Sequence, residues 1–394
     1  MIRSYLLMLS VCIGLAAAAE EPSLAERIAQ LEAQASRPGM LDRMAERDVL
    51  ISGSGAAAFF AGDAESTYAE DEFRIDEARL FIDARLLPNA FFFCELVLLE
   101  REANDPNVHI GEVYIDWENP FAQFLGERHL NIRFGRFDIP FGDEYLLRDP
   151  IDNPLISHSL ADFWGVDEGI EVFGKLQSVE YILAIQNGGH PSLEDGHSDK
   201  AITAKLATSI GSGTRASISA MRTGDLDPEK DGTSEIWFAN NFIVPLGEQT
   251  ELKDFNGTFI QADLSHAWQS GNLAVSAGQG EQETRLVTAT DTRESTFASV
   301  LLKQDINQDW YVAARYSRIE SDEGWPVVGQ GDFGDLFMGQ HPTKEIWRAS
   351  FGLGYHVASG LLLKAEYSME EGDYLDGAAI DNRNLFSFQA AFAF

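Results

Sequence analysis

A chain of 394 residues with 63 Asp and Glu against 29 Lys and Arg, a formal net charge of −34, excludes nucleic acid as a partner. The same acidic excess would suit a disordered polymer, but 26 Phe and 7 Trp are too many aromatic residues for that. Of the two cysteines, Cys12 lies in the leading apolar run, so the chain beyond that run holds Cys94 alone and no internal disulfide.

In chain order, Arg3, the apolar run Tyr5 to Leu15, and Ala16 to Ala19 read as a secretory signal peptide over 1–19, with the mature chain starting at Glu20. Val11 is too large for a lipoprotein cleavage site before Cys12, so no lipid anchor is expected. Residues 20–48 read as a helix. Ser23 and Glu26 form a capping box, Leu24, Ile28, Leu31 and Ala35 follow coiled-coil spacing, and Pro38-Gly39 ends it. Two heptads are marginal in water on their own, which leaves a short periplasmic trimerisation stalk and a frayed amphipathic tail both open. No later stretch is long and apolar enough for a spanning helix.

From Val49 the pattern changes to period two. Strands are expected near 49–60, 72–86, 90–99, 109–118, 129–137, 166–176, 178–187, 199–210, 213–223, 255–268, 271–281, 293–304, 309–320, 343–357, 360–370 and 382–394. Short connections (Leu87-Pro88-Asn89, Gln177-Ser178, Ser270-Gly271, Ser359-Gly360) alternate with long ones at 61–71, 100–108, 138–165, 188–198, 224–254, 282–292, 321–342 and 371–381. Segment 119–128 is longer than a tight turn, and Ile236 to Val244 is assigned to an extracellular loop to keep the strand count even.

On the last run Phe386, Phe388, Ala390, Phe392 and Phe394 share a face, a bulky stripe that suits contact with lipid. The chain ending on Phe resembles the sorting signal of Gram-negative outer-membrane barrels. Opposite the apolar faces lie Arg, Lys, Asp and Glu on strand after strand. Unpaired, these would be too costly in a dry sandwich core, whereas a water-filled lumen accepts them. The expected fold is therefore all-β: a 16-stranded antiparallel transmembrane β-barrel over 49–394, in the bacterial outer membrane among its lipids and lipopolysaccharide.

Residues Leu130 to Glu144, reading Leu-Asn-Ile-Arg-Phe-Gly-Arg-Phe-Asp-Ile-Pro-Phe-Gly-Asp-Glu, resemble the phosphate-selective porin O/P family. That family places a Gly, a basic or polar residue, Phe, then Pro-Phe-Gly-x-Glu where a strand enters a long loop. Gly165 to Gly174 and Glu112 to Trp117 are similar to the neighbouring strands. The resemblance implies a homotrimeric sixteen-stranded porin whose third extracellular loop folds into the channel. The residues of 138–165 raise the same possibility: Tyr145, Leu146, Leu147, Leu155, Ile156, Phe163 and Trp164 need something to pack against. An inward fold supplies it; an external lid closed on its own side chains is the alternative.

By strand parity the pore-lining bases are Arg79, Arg133, Lys175, Lys205, Arg215, Lys303, Arg315, Arg348 and Lys364. The constriction-loop acids are Asp138, Asp143, Glu144, Asp149, Asp152 and Asp162. Selectivity follows the sign of charge at the narrowest point. The phosphate-selective members depend on basic ladders there, whereas the matching loop here is acidic. The expected function is passive diffusion of small hydrophilic solutes and ions, general or weakly cation-preferring. An anion- or phosphate-selective porin, a membrane enzyme and a non-conducting structural barrel are the alternatives. No nucleophile elbow or phosphate loop occurs, and neither catalysis nor a cofactor is expected. No metal site is expected either: His190, Glu194, Asp195, His197 and Asp199 share a loop without ligand spacing. Cys94 alternates with Phe92 and Leu96, as a packed or lipid-facing thiol would.

Overall fold

The computed structural model describes residues 48–66, 68–100, 108–189, 197–238, 241–243, 252–325 and 342–394. The signal peptide and the helix expected over 20–48 lie outside the described residues, save Asp48.

Sixteen strands build the molecule: β1 (Leu50–Gly62), β2 (Glu72–Leu87), β3 (Ala90–Glu100), β4 (His109–Trp117), β5 (Asn131–Asp138), β6 (Val166–Leu176), β7 (Val179–Gln186), β8 (Ala201–Ile210), β9 (Thr214–Arg222), β10 (Leu252–Trp268), β11 (Gly271–Leu286), β12 (Thr290–Asp305), β13 (Trp310–Trp325), β14 (Thr343–Ala358), β15 (Leu361–Tyr374) and β16 (Leu385–Ala393). Each pairs antiparallel with the next in the chain. β16 pairs back onto β1, with Ser54 opposite Ala393, so the sheet closes and leaves no edge.

Alternation decides which face each residue takes. Ile115, Phe134, Ile170, Ile218, Val312 and Phe351 point outward and stay exposed, a ring of apolar side chains around the wall. Cys94 registers with Val113 and takes the same outward face. Phe386, Phe388, Phe392 and Phe394 join this belt. The seam is shaped to receive them: a Cβ built at Gly53 would lie 2.7 Å from the Phe394 ring, and one at Gly55 2.9 Å from the Phe392 ring. Aromatic rings lying over cross-strand glycines are a known device for stiffening such a position.

Two connections differ from the sequence expectation. β11 and β12 run on to Leu286 and from Thr290, so the long loop at 282–292 is a tight reversal. Its residues keep alternating, with Gln282 and Thr284 buried inward, and above the lipid belt a polar ladder needs no apolar face. Likewise β15 continues to Tyr374, and Ala379–Ile380 pairs back on it. The stretch at Ile236 to Val244 adds no barrel strand. Trp237–Phe238 pairs with Asn241–Phe242 and with Phe163–Trp164 in a small separate sheet. Segment 119–128 holds a single helical turn, Ala122–Leu125.

A buried aromatic cluster fills part of the barrel interior. Phe141 and Phe163 from one loop and Phe238 from another stack with Phe259, Phe297 and Trp325 of the wall. These rings hold the two loops against β10, β12 and β13.

Candidate functional site

The chain leaves β5 at Asp138 and re-enters at β6, and the loop base is closed by Ile139 N–H donating to Gly165 O at 2.9 Å. The strand before this departure depends on Gly135. Its φ of +137° and its lack of a side chain seat Tyr114, because a Cβ would stand 2.2 Å from Val113 O and 2.7 Å from Tyr114 Cα.

Between these points the loop is fastened to inward-facing side chains. Lys205 donates to Gly142 O and pairs with Asp143 at 2.5 Å, while Gly142 N–H donates to Ser219 Oγ at 3.1 Å. Ser217 Oγ donates to Asp143 at 3.0 Å, and Arg215 approaches the same carboxylate at 3.7 Å. Lys364 spends its ammonium on three loop carbonyls: Pro150 at 2.7 Å, Leu155 at 2.8 Å and Asn153 at 3.2 Å. Arg315 donates to Ser157 O at 2.5 Å and to Asn153 Oδ1 at 3.2 Å, and Arg348 to His158 O at 3.1 Å. Glu366 works in the opposite sense, accepting Ile156 N–H at 2.5 Å and Ser157 N–H at 3.0 Å. An ammonium carries three donors and no acceptor, so three carbonyls saturate Lys364 in a site that leaves it 2% exposed.

The loop also holds itself. Glu144 accepts Ser159 N–H at 2.8 Å and Ser159 Oγ–H at 2.5 Å, and Arg148 pairs with Asp162 at 2.5 Å while lying 4.3 Å over the Trp164 ring. Burial, with Arg148, Arg315 and Lys364 around it, holds the His158 imidazole well below its ordinary pKa, so the ring is neutral in this position. Asp149 faces Arg79 at 3.8 Å, and Glu144 stands 3.9 Å from Arg315. Asp152 is exposed, and Asp138 N–H donates to Glu112 Oε1 at 2.9 Å.

The nine basic residues thus fall into two groups. Lys205, Arg315, Arg348 and Lys364 are buried under the loop and bind its backbone. The other five are part-exposed and paired with carboxylates. Arg79 pairs with Glu77 at 3.1 Å and Glu95 at 3.2 Å. Arg133 makes a two-pronged pair with Asp116 at 2.7 and 2.9 Å. Lys175 and Arg215 share Glu180, at 3.2 and 2.5 Å, and Lys303 pairs with Asp305 at 3.1 Å.

One constellation the sequence did not reveal lies where the second loop meets β6. The carboxylates of Asp167, Glu168 and Glu235 offer oxygens within 4.8 Å of one another. Arg136 already sits there, donating to Glu168 at 2.9 Å and to Glu235 at 3.4 Å. Burial, against the pull of Arg136, raises Glu235 to a pKa of about 8. Arg136 and Glu235 are 99 residues apart, so spacing carries no signal of the pair. Of the loop singled out for His and acidic residues, 190–196 lie outside the described residues; Asp199 pairs with Arg222, and His197 stands 4.0 Å from Asp231.

An apolar belt around a closed barrel with polar side chains within is the architecture of outer-membrane proteins. Solved structures agree. The outer membrane channel DcaP of Acinetobacter baumannii matches over 88% of this chain and 97% of its own at a TM-score of 0.60 and 14% identity. The fold is that of the outer-membrane porins. An anion-selective porin from Comamonas acidovorans shares the porin fold at a TM-score of 0.56 and 9% identity, over 88% of this chain and 99% of that one. OmpT in trimer form, an outer membrane protein of Vibrio cholerae, does so at 0.55 and 10%, over 88% and 99%. No family model and no curated protein matches the sequence.

Proposed function

We propose that the protein is a passive diffusion channel of the bacterial outer membrane, admitting small hydrophilic solutes and ions as a homotrimer, general or weakly cation-preferring. The observation that carries this reading is the compensated lining. Each of the nine wall bases has a carboxylate or a loop carbonyl as partner, and the loop acids Asp143, Glu144 and Asp149 face Lys205, Arg315 and Arg79. A lining whose charges compensate one another in this way favours neither sign strongly. Phosphate selectivity would need bases that present their charge to the solute. Here the best placed, Arg79 and Arg133, are each bracketed by two carboxylates. The porin fold and the trimer form of OmpT support the homotrimer. No catalytic chemistry is assigned to the channel.

Reversal potentials in a tenfold KCl gradient test the selectivity. The expected value is close to zero and displaced to the cation side. A clearly anionic value would overturn this reading in favour of an anion-selective channel.

A further inference from the structure

His197 and Asp231 belong to two different loops, 188–198 and 224–254, and meet beside Gly189. Both side chains are more than nine-tenths buried, His197 at 7% exposure and Asp231 at 1%. The loop's own backbone orients the Asp231 carboxylate, since Oδ2 accepts the Asp227 N–H at 2.7 Å. The other oxygen, Oδ1, has no hydrogen-bond partner among the described residues. Gly189 shows where that oxygen faces. A Cβ built on Gly189 would stand 3.3 Å from Asp231 Oδ1 and 3.3 Å from His197 Nε2. Carboxylate oxygen and imidazole nitrogen thus flank one small space, kept open by a residue without a side chain. His197 Nε2 lies 4.0 Å from Asp231 Oδ2, beyond hydrogen-bond length.

We propose that this space is a site for a divalent transition-metal cation, of the zinc or copper kind, which ties the two loops together. Imidazole nitrogen and carboxylate oxygen are donors that such ions take. Metal bonds to these groups are about 2.0–2.2 Å long, so an ion bridges a gap that one proton does not. A buried carboxylate oxygen left without a partner is costly, and a cation meeting it removes the cost. Calcium and magnesium prefer an all-oxygen shell, which the imidazole does not supply. Two protein ligands leave the remaining positions to water, so the site binds less tightly than a closed four-ligand one. Residues 190–199 carry no ligand spacing of their own. The second ligand comes from a different loop, which sequence spacing does not show.

The test is calorimetric titration of Zn²⁺ into the folded, untagged protein in detergent after chelator treatment. A single Zn²⁺ per chain is expected, with a rise in thermal midpoint that EDTA reverses. His197→Ala and Asp231→Asn are each expected to weaken binding roughly tenfold or more. Gly189→Ala keeps both ligands and sets a methyl group where the ion would sit, and is expected to do the same. His266→Ala is the control: that ring meets Thr214 at an exposed position, and its loss leaves the affinity within about twofold. If a ligand variant does not fold, Gly189→Ala is read in its place. Absence of Zn²⁺ binding, or binding that survives all three substitutions, sinks the proposal. So does a protein that gains stability on acidification and ignores Zn²⁺, because the two groups would then form an imidazolium–carboxylate pair with no ion between them. Conductance plays no part in the readout, so this site and the channel reading stand or fall separately.

Discussion

Replacing Lys364 with methionine is expected to unseat the loop 138–165. The side chain keeps its length and loses its charge, and the carbonyls of Pro150, Asn153 and Leu155 lose their common donor deep in the barrel. Each buried acceptor left without a partner costs about 1–3 kcal/mol. Even a net loss of about 2–3 kcal/mol shifts the balance between docked and undocked loop by roughly 30- to 150-fold. The readout is single-channel recording: larger and noisier open currents than wild type, with lower thermal stability in detergent. Lys303→Met is the control. That ammonium pairs with Asp305 at 3.1 Å on a part-exposed site, and such pairs contribute little, about 0–1 kcal/mol. If Lys364→Met conducts as quietly as wild type, the loop does not depend on its wall anchors.

The second large effect concerns the outer face. Ile218 sits mid-strand on β9, exposed, with Leu206 and Ala262 as its cross-strand neighbours. Arginine there faces hydrocarbon, at about 2–4 kcal/mol for a site near the bilayer midplane. Ser209 lies on the opposite face, exposed and across from Arg215. Ser209→Glu therefore places its charge in water beside a guanidinium and is expected to change stability by less than about 1 kcal/mol. Urea unfolding of the protein reconstituted in lipid vesicles separates the two. Equal effects at both positions would mean that the wall does not separate lipid from water.

The strand plan was legible because period-two alternation is a local signal, and the turns between strands are marked by Gly, Pro, Asn and Ser. Where it failed, the cause was local too. Gln282 and Thr284 are polar inside and Glu281 and Glu283 polar outside, so a strand above the lipid belt reads as loop. Parity also gave the side of the wall on which Lys205, Arg315, Arg348 and Lys364 lie. It could not say that a loop would occupy the space in front of them. Lys364 meets Pro150 across 214 residues and Arg315 meets Ser157 across 158, and no short-range pattern encodes such pairs.

The most direct measurement is whether the folded, purified protein conducts at all when inserted in a planar lipid bilayer in symmetric KCl. Discrete current steps that persist at low voltage are the expected result, because ionised side chains line the inside of a wall whose outside is hydrocarbon. Heat-modifiable, correctly inserted protein that leaves the membrane silent would contradict the account.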